Sequence, residues 1–202
     1  MSDKWVLSEL ARTAAEVTAN LDKYELGLAA EKVENFIWDI YCDWYIEICK
    51  SRLNGEDAQQ ADTARKVLVW VLDKALKLLH PFMPFITEEI YQALPGSAET
   101  IMTQEWPDAG KMTAWPQECA DFEVLMDYIK AVRTIRNDMN VHPAKKTSMT
   151  IETANPAAFQ KGGAYLARFA FATDVDRCYP GRPRLYPHDG ADRPRKGTQA
   201  PA

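Results

Sequence analysis

Apolar residues spaced three and four apart, in one stretch after another, constrain this chain more than any other feature. Leu7, Leu10, Ala14, Val17 and Leu21 follow a 3-4-3-4 spacing. That spacing returns to one side of an α-helix and makes a bundle-type seam, so residues 3–21 are expected to be helical. Ser2 or Asp3 is placed to cap the helix with a side-chain oxygen. A second helix is expected over residues 26–52, with Leu28, Ala29, Val33, Phe36, Ile37, Ile40, Tyr41, Trp44, Tyr45 and Ile48 on a wide apolar face. A third, over residues 58–80, turns Val67, Leu68, Val71, Leu72, Ala75, Leu76 and Leu79 to the core.

Breakers divide the pattern. Asn54-Gly55 is a turn signal. Pro81 ends the third helix and Pro84 opens another over residues 85–94, where a missing N–H costs nothing. Residues 95–116 read as an extended connection pinned by Ile101, Met102 and Trp106. A long helix is expected next over residues 116–140, with Phe122, Leu125, Ile129, Val132, Ile135 and Met139 on its buried side. Beyond Pro143 the period changes to two. Met149 and Ile151 alternate with Ser148 and Thr150, so residues 146–153 are expected as a strand. Gly162-Gly163 reads as a turn or helix entry before a short helix at 164–171, and residues 173–178 as a second strand. Residues 178–202 hold five prolines and a basic excess without apolar period, the composition of a disordered tail. The expected domains are therefore a helical bundle at 1–143, a small β-α-β appendage at 144–177 and the tail at 178–202.

Composition removes several classes. Apolar residues at 47% and charged residues at 26% are ordinary globular values. No apolar run approaches the roughly 20 residues of a membrane span, and the N-terminus has no secretory apolar region. Cys42, Cys49, Cys119 and Cys178 match no zinc spacing or disulfide framework, which points to a reducing, cytoplasmic setting. The net charge is −5, divided as −8 for residues 1–177 and +3 for the remainder. That argues against a basic nucleic-acid-coating protein but leaves room for a local basic face.

No Walker lysine loop, GxGxxG fingerprint, HExxH motif or GxSxG elbow occurs. No catalytic, cofactor or metal residue is expected on these grounds, and His80, set before the proline pair, reads as a partnered structural residue. Two basic sets lean towards RNA. Arg133, Arg136, Asn137, Lys145 and Lys146 gather at one helix end and the loop after it. Lys4, Trp5 and Arg12 make a basic-aromatic set on the first helix. Cations neutralise phosphates, while Trp and Arg planes stack unpaired bases. The competing reading is a solvated surface, with Trp5 in the core. Asp39, Asp43 and Glu47 recur as an acidic stripe, whose ordinary reading is again a solvated face.

Residues 36–47, Phe-Ile-Trp-Asp-Ile-Tyr-Cys-Asp-Trp-Tyr-Ile-Glu, resemble the helix signature of the valyl-tRNA synthetase anticodon-binding domain. So does the HPFMPFITEEIY stretch from His80 to Tyr91. The order continues through Ile101-Met102, Trp106-Pro107, Ile135-Arg136 and on to Pro143, Lys145 and Lys146, and the resemblance covers residues 3–177. It implies a mainly α fold, an antiparallel helical bundle of the class I synthetase anticodon-binding type with a small C-terminal α/β appendage. It implies the tRNA(Val) anticodon stem-loop as partner, together with the catalytic domain of the same enzyme, and neither DNA nor membrane. The complete enzyme of that family joins valine to its tRNA with ATP and Mg. No cofactor is implied for this chain, which lacks the family's catalytic signatures and is expected to be inactive alone.

The resemblance also places the start of the chain after the family's first helix, and it departs from the family's coiled-coil arm near Cys178. Valine anticodons share A and C at their second and third positions. A carboxylate accepts from cytosine N4, which makes Asp39 and Asp43 base-reading candidates, with packing as the competing reading for Trp38, Asp39 and Trp44. Two rivals stand beside this reading: a stand-alone tRNA-binding or adaptor module, and a non-functional truncated remnant.

Overall fold

The first 3-4 seam folds as α1 (Ser2–Asp22) in the computed structural model, which describes residues 1–142, 145–152, 156–179 and 185–188. Leu10, Ala14 and Val17 of the seam are inaccessible to solvent, Leu7 and Leu21 are half-buried, and Val6, outside the seam, is buried as well. The cap differs from expectation. Met1 occupies the cap position and no side chain bonds there. Asp3 is drawn away to accept the phenol of Tyr45 at 2.8 Å and the guanidinium of Arg52. A charged carboxylate gains more from those two donors than from one backbone N–H.

The long second helix is not one helix. α2 (Leu26–Asn35) runs into a π-helical segment (Phe36–Ile46) and then α3 (Glu47–Leu53). In the π segment each N–H bonds five residues back rather than four, so the turn is wider. That rotates Phe36, Tyr41, Trp44 and Tyr45 inward and leaves Ile37 and Ile40 half-buried, against the face an α-helix would give. Two phenols fix the wider turn. Tyr41 Oη donates to the Leu68 carbonyl at 3.0 Å, and Tyr45 donates to Asp3. Burial pushes both phenols far above their ordinary pKa, and at Tyr45 the Asp3 carboxylate adds to it, so both remain donors at any physiological pH.

α4 (Ala58–Leu79) is capped by Asp57, which accepts from the N–H groups of Gln59 and Gln60 at 3.0 Å each. Pro84 opens α5 (Pro84–Gln92) as its residue type demands. His80 is structural, as expected. Its Nδ1 hydrogen-bonds the Thr87 hydroxyl at 2.7 Å, and that hydroxyl also lies 2.7 Å from the Met83 carbonyl. α5 turns Thr87 and Tyr91 to the core and leaves Phe85, Ile86 and Ile90 exposed. Glu88 bonds the Thr100 hydroxyl at 2.8 Å and the Ile101 N–H at 3.2 Å. It thereby anchors a 3₁₀ turn at Ile101–Thr103, and a second such turn lies at Ala109–Lys111. The connection at 95–116 is therefore locally built rather than simply extended. α1 packs on α2, α4 and the π segment, and α4 also packs on α3 and α5.

Contacts divide the chain into Met1–Ala120 and Asp121–Ala202, not at residue 143. α6 (Pro116–Asp138) accounts for the difference, because from Asp121 onward it belongs to the second unit, where Leu125 closely approaches Gly162. Within that unit Phe122, Leu125, Ile129 and Val132 are buried on α6, and Phe159, Leu166 and Phe169 on α7 (Pro156–Phe169). Edge-to-face ring pairs Phe122–Tyr165 and Tyr128–Phe159 lie at 5.4 and 5.1 Å between centroids. The expected β-α-β unit is present. β1 (Thr147–Glu152) pairs in parallel with β2 (Ala172–Tyr179), as a helical crossover requires. Met149 and Ile151 are buried on one face, as the alternation implied. α7 starts eight residues earlier than expected and contains Gly162 and Gly163 in its interior, so they are no turn. Leu185–His188 form β3, antiparallel to β1, in a stretch assigned by composition to the tail. The sheet order is β2-β1-β3. Cys178 and Tyr179 belong to β2, and residues 180–184 and 189–202 of that tail lie outside the described residues.

Candidate nucleic-acid interface

The basic-aromatic set of α1 does not form one surface. Trp5 is 2% exposed and sits in the core of the first unit, so its ring offers no face to a base. Lys4 and Arg12 are exposed, yet each is engaged. Lys4 Nζ pairs with Glu118 and lies 5.8 Å from the Trp115 ring centroid. Arg12 bridges Glu9 and Glu16 along its own helix. The reason is helical geometry: residues one apart point in different directions, so Lys4 and Trp5 cannot serve one ligand.

The second basic set stands closer to expectation. Asn137, Lys145 and Lys146 are exposed near the end of α6 and on the loop after it. Arg133 is exposed as well and Arg136 half-buried, and both hold backbone carbonyls. Arg133 Nε donates to the Phe169 carbonyl at 2.9 Å, and its guanidinium lies over the Phe169 ring. Arg136 donates to the Lys145 and His142 carbonyls at 2.6 and 3.3 Å and lies 5.6 Å from the Phe171 ring centroid. Arg136 thus folds the loop back onto α6 and sets where Lys145 is presented. Arg136→Ala is expected to cost the second unit about 1–2 kcal/mol through lost charge-assisted bonds. Amide exchange at residues 145–152 checks this: faster exchange confined to the loop and β1 is expected, and unchanged protection contradicts it.

Asp39 and Asp43 are exposed on the π segment, and Trp38 beside them is 62% exposed. Trp44, by contrast, is buried. The three exposed residues share the outer side of the segment, an arrangement compatible with accepting from a base edge and stacking on its plane. Burial raises the pKa of Cys42 and Cys49, which disfavours the thiolate. Among the described residues no group of three His, Cys, Asp or Glu side chains is placed to hold a metal ion.

Trp70 was not among the expected site residues. It is 41% exposed on α4 and lies between Lys66 and Lys74, with Lys74 Nζ 5.8 Å from its ring centroid. The signal was in the spacing. Trp70 falls off the apolar seam of its helix, while Arg65, Lys66, Lys74 and Lys77 lie within seven residues of it. On α4 the ring that lies off the seam and among cations is an exposed platform.

A family described as the anticodon-binding domain of tRNA ligase matches residues 3–151. The valine–tRNA ligase of Bacillus cereus (strain ATCC 10987 / NRS 248) is 42% identical over 178 residues, covering 87% of this chain and 20% of that protein. The valine–tRNA ligase of Geobacillus stearothermophilus is 42% identical with the same coverage. That of Bacillus subtilis (strain 168) is 40% identical over 172 residues, with 84% and 20% covered. The chain thus spans about a fifth of the length of the curated relatives it matches.

Proposed function

The chain belongs to the family of anticodon-binding domains of tRNA ligases, and from that premise we propose that it is the anticodon-binding portion of a valine–tRNA ligase. The observation that carries this reading is 42% identity to valine–tRNA ligases sustained over 87% of the chain. Identity at that level extends through the helical bundle and into the small α/β unit.

In this role the helices are a rigid frame and the chemistry is recognition. The partner is a valine tRNA, held at its anticodon stem-loop, and the catalytic domain of the same enzyme performs the ligation with ATP and Mg. The chain itself supplies cations for phosphates and acceptors or ring faces for unpaired bases. Lys145, Lys146 and Asn137 at the end of α6 serve the first task. Trp38, Asp39 and Asp43 on the π segment are placed for the second, since a carboxylate pairs with cytosine N4. The net charge of −5 is compatible with this, because a loop binder needs a local basic surface rather than a basic protein. No helix among the described residues is long and apolar enough to cross a membrane, and the reading places the protein in the cytoplasm.

Gel shift of the purified chain with a valine tRNA transcript, across a salt series, tests the reading. A complex that weakens linearly on a log–log salt plot is expected, with no valine-dependent pyrophosphate exchange. The absence of any complex at low salt, or exchange catalysed by the chain alone, would overturn it.

A further inference from the structure

Two open cavities flank Trp70 within the first unit, of about 420 and 590 Å³. Both are in the size range of ligand sites. Trp70 and Lys66 line both, so the indole stands as the partition between them. Trp115 is the second aromatic wall of the smaller cavity, and Tyr91 that of the larger. The charge on the linings is opposite in sign to that of the chain. Lys66 and Lys111 line one cavity and Arg65, Lys66 and Lys77 the other, against Asp73 as the one carboxylate among the described lining residues. Asp73 is already neutralised, since Lys74 and Lys77 lie 3.2 and 2.9 Å from it. Lys66 and Lys111 pair with Asp62 and Asp108 on the open surface. Such exposed pairs are worth little and exchange readily for a phosphate.

We propose that this groove along α4 receives an unpaired stretch of RNA, with successive bases entering the cavities on either side of Trp70 and their phosphates on Arg65, Lys66 and Lys111. The inference rests on the reading of the chain as an RNA binder and adds a contact surface that neither basic set described above contains. Unpaired RNA fits because every base has a π-face to lay against an indole, whereas paired bases are closed to a cavity. Apolar walls alone would suit a peptide equally well. The run of cations without free carboxylates favours a polyanion.

The test uses the full chain, a fluorescently labelled valine tRNA transcript, a short single-stranded RNA, a fully paired RNA hairpin stem and free adenosine monophosphate. Trp70→Ala is expected to weaken binding of tRNA and single-stranded RNA about tenfold, and Trp70→Phe to retain most of it. The double variant Lys66→Glu, Lys111→Glu is expected to lower affinity as well. It should reduce the salt-dependence slope by between about 1 and 2, for two lost phosphate contacts. Both lysines are exposed, so this variant keeps its fold, as circular dichroism would verify. Wild-type binding of tRNA together with unaltered binding by folded variants overturns the inference and leaves the proposed function intact. Failure of the wild-type chain to bind any RNA at low salt overturns both. Adenosine monophosphate or the paired stem binding as tightly as single-stranded RNA would overturn the strand assignment, as would displacement of the RNA by an acidic peptide at equal affinity.

Discussion

Trp5→Ala is expected to destabilise the first unit by about 3–5 kcal/mol, the range for removing a large aromatic side chain from a packed core. Trp5 is 2% exposed and among the largest fully covered side chains of the chain. It lies on α1, which packs on α2, α4 and the π segment, so the vacated volume borders elements held on several sides and is slow to collapse. All six tryptophans fall within residues 1–115. Their fluorescence therefore reports unfolding of the first unit alone, while circular dichroism reports both units, and the two transitions are expected to separate in the variant. RNA affinity of the folded fraction is expected to be unchanged, because the indole touches no surface. A stable variant with weakened RNA binding would instead return Trp5 to the interface.

The second large effect comes from two adjacent glycines that respond in opposite directions. A Cβ added at Gly162 would lie 2.2, 2.8 and 3.1 Å from Leu125 Cδ1, Cδ2 and Cγ. Leu125 is fully buried, so turning its side chain aside would press it into the filled core around it, and either that core or the spacing of α6 and α7 must give. Gly162→Ala is expected to cost about 1–3 kcal/mol, the range for overpacking a filled core. A Cβ at Gly163 meets nothing within 4 Å. Gly163→Ala removes only the entropic penalty of glycine in a helix and is expected to stabilise α7 by about 0.5–1 kcal/mol. Amide exchange along α7 reads both, slower in one variant and faster in the other. Stabilisation by both would mean that the helices are not in close contact at Gly162.

The helical seams were legible because they rest on period alone. Leu10, Ala14 and Val17 are buried where their spacing put them, and Met149 and Ile151 where alternation put them. The π segment was not legible. Its i→i+5 bonding is fixed by where Tyr41 and Tyr45 find partners on α4 and α1, and those partners are 27 and 42 residues away. The Pro84 start was explicit in residue type, but which face of α5 turns inward depended on Glu88 reaching Thr100. β3 was hidden by its own proline. Proline demotes a strand reading because it removes a ladder donor, yet it is tolerated on an edge, and β3 is an edge strand with Pro187 opposite Met149.

The candidate interface divided along similar lines. Charge density drew attention to the end of α6, but sequence cannot separate a cation that meets solvent, such as Lys146, from one that ties down backbone, such as Arg136. Seam position did not sort the tryptophans: Trp5 and Trp70 both lie off the apolar seams of their helices, yet Trp5 is buried, on a helix packed by α2, α4 and the π segment, while Trp70 is exposed.

Anticodon reading is the central claim, and the direct measurement compares two affinities of the same chain. One is for a valine tRNA transcript, the other for the same transcript with its second and third anticodon bases replaced, at equal salt. A specific base contact is worth about 1–3 kcal/mol, so the substituted tRNA is expected to bind at least about tenfold more weakly. Equal affinity for the two, with the same steep salt dependence, would contradict anticodon recognition and leave a general RNA-binding module in its place.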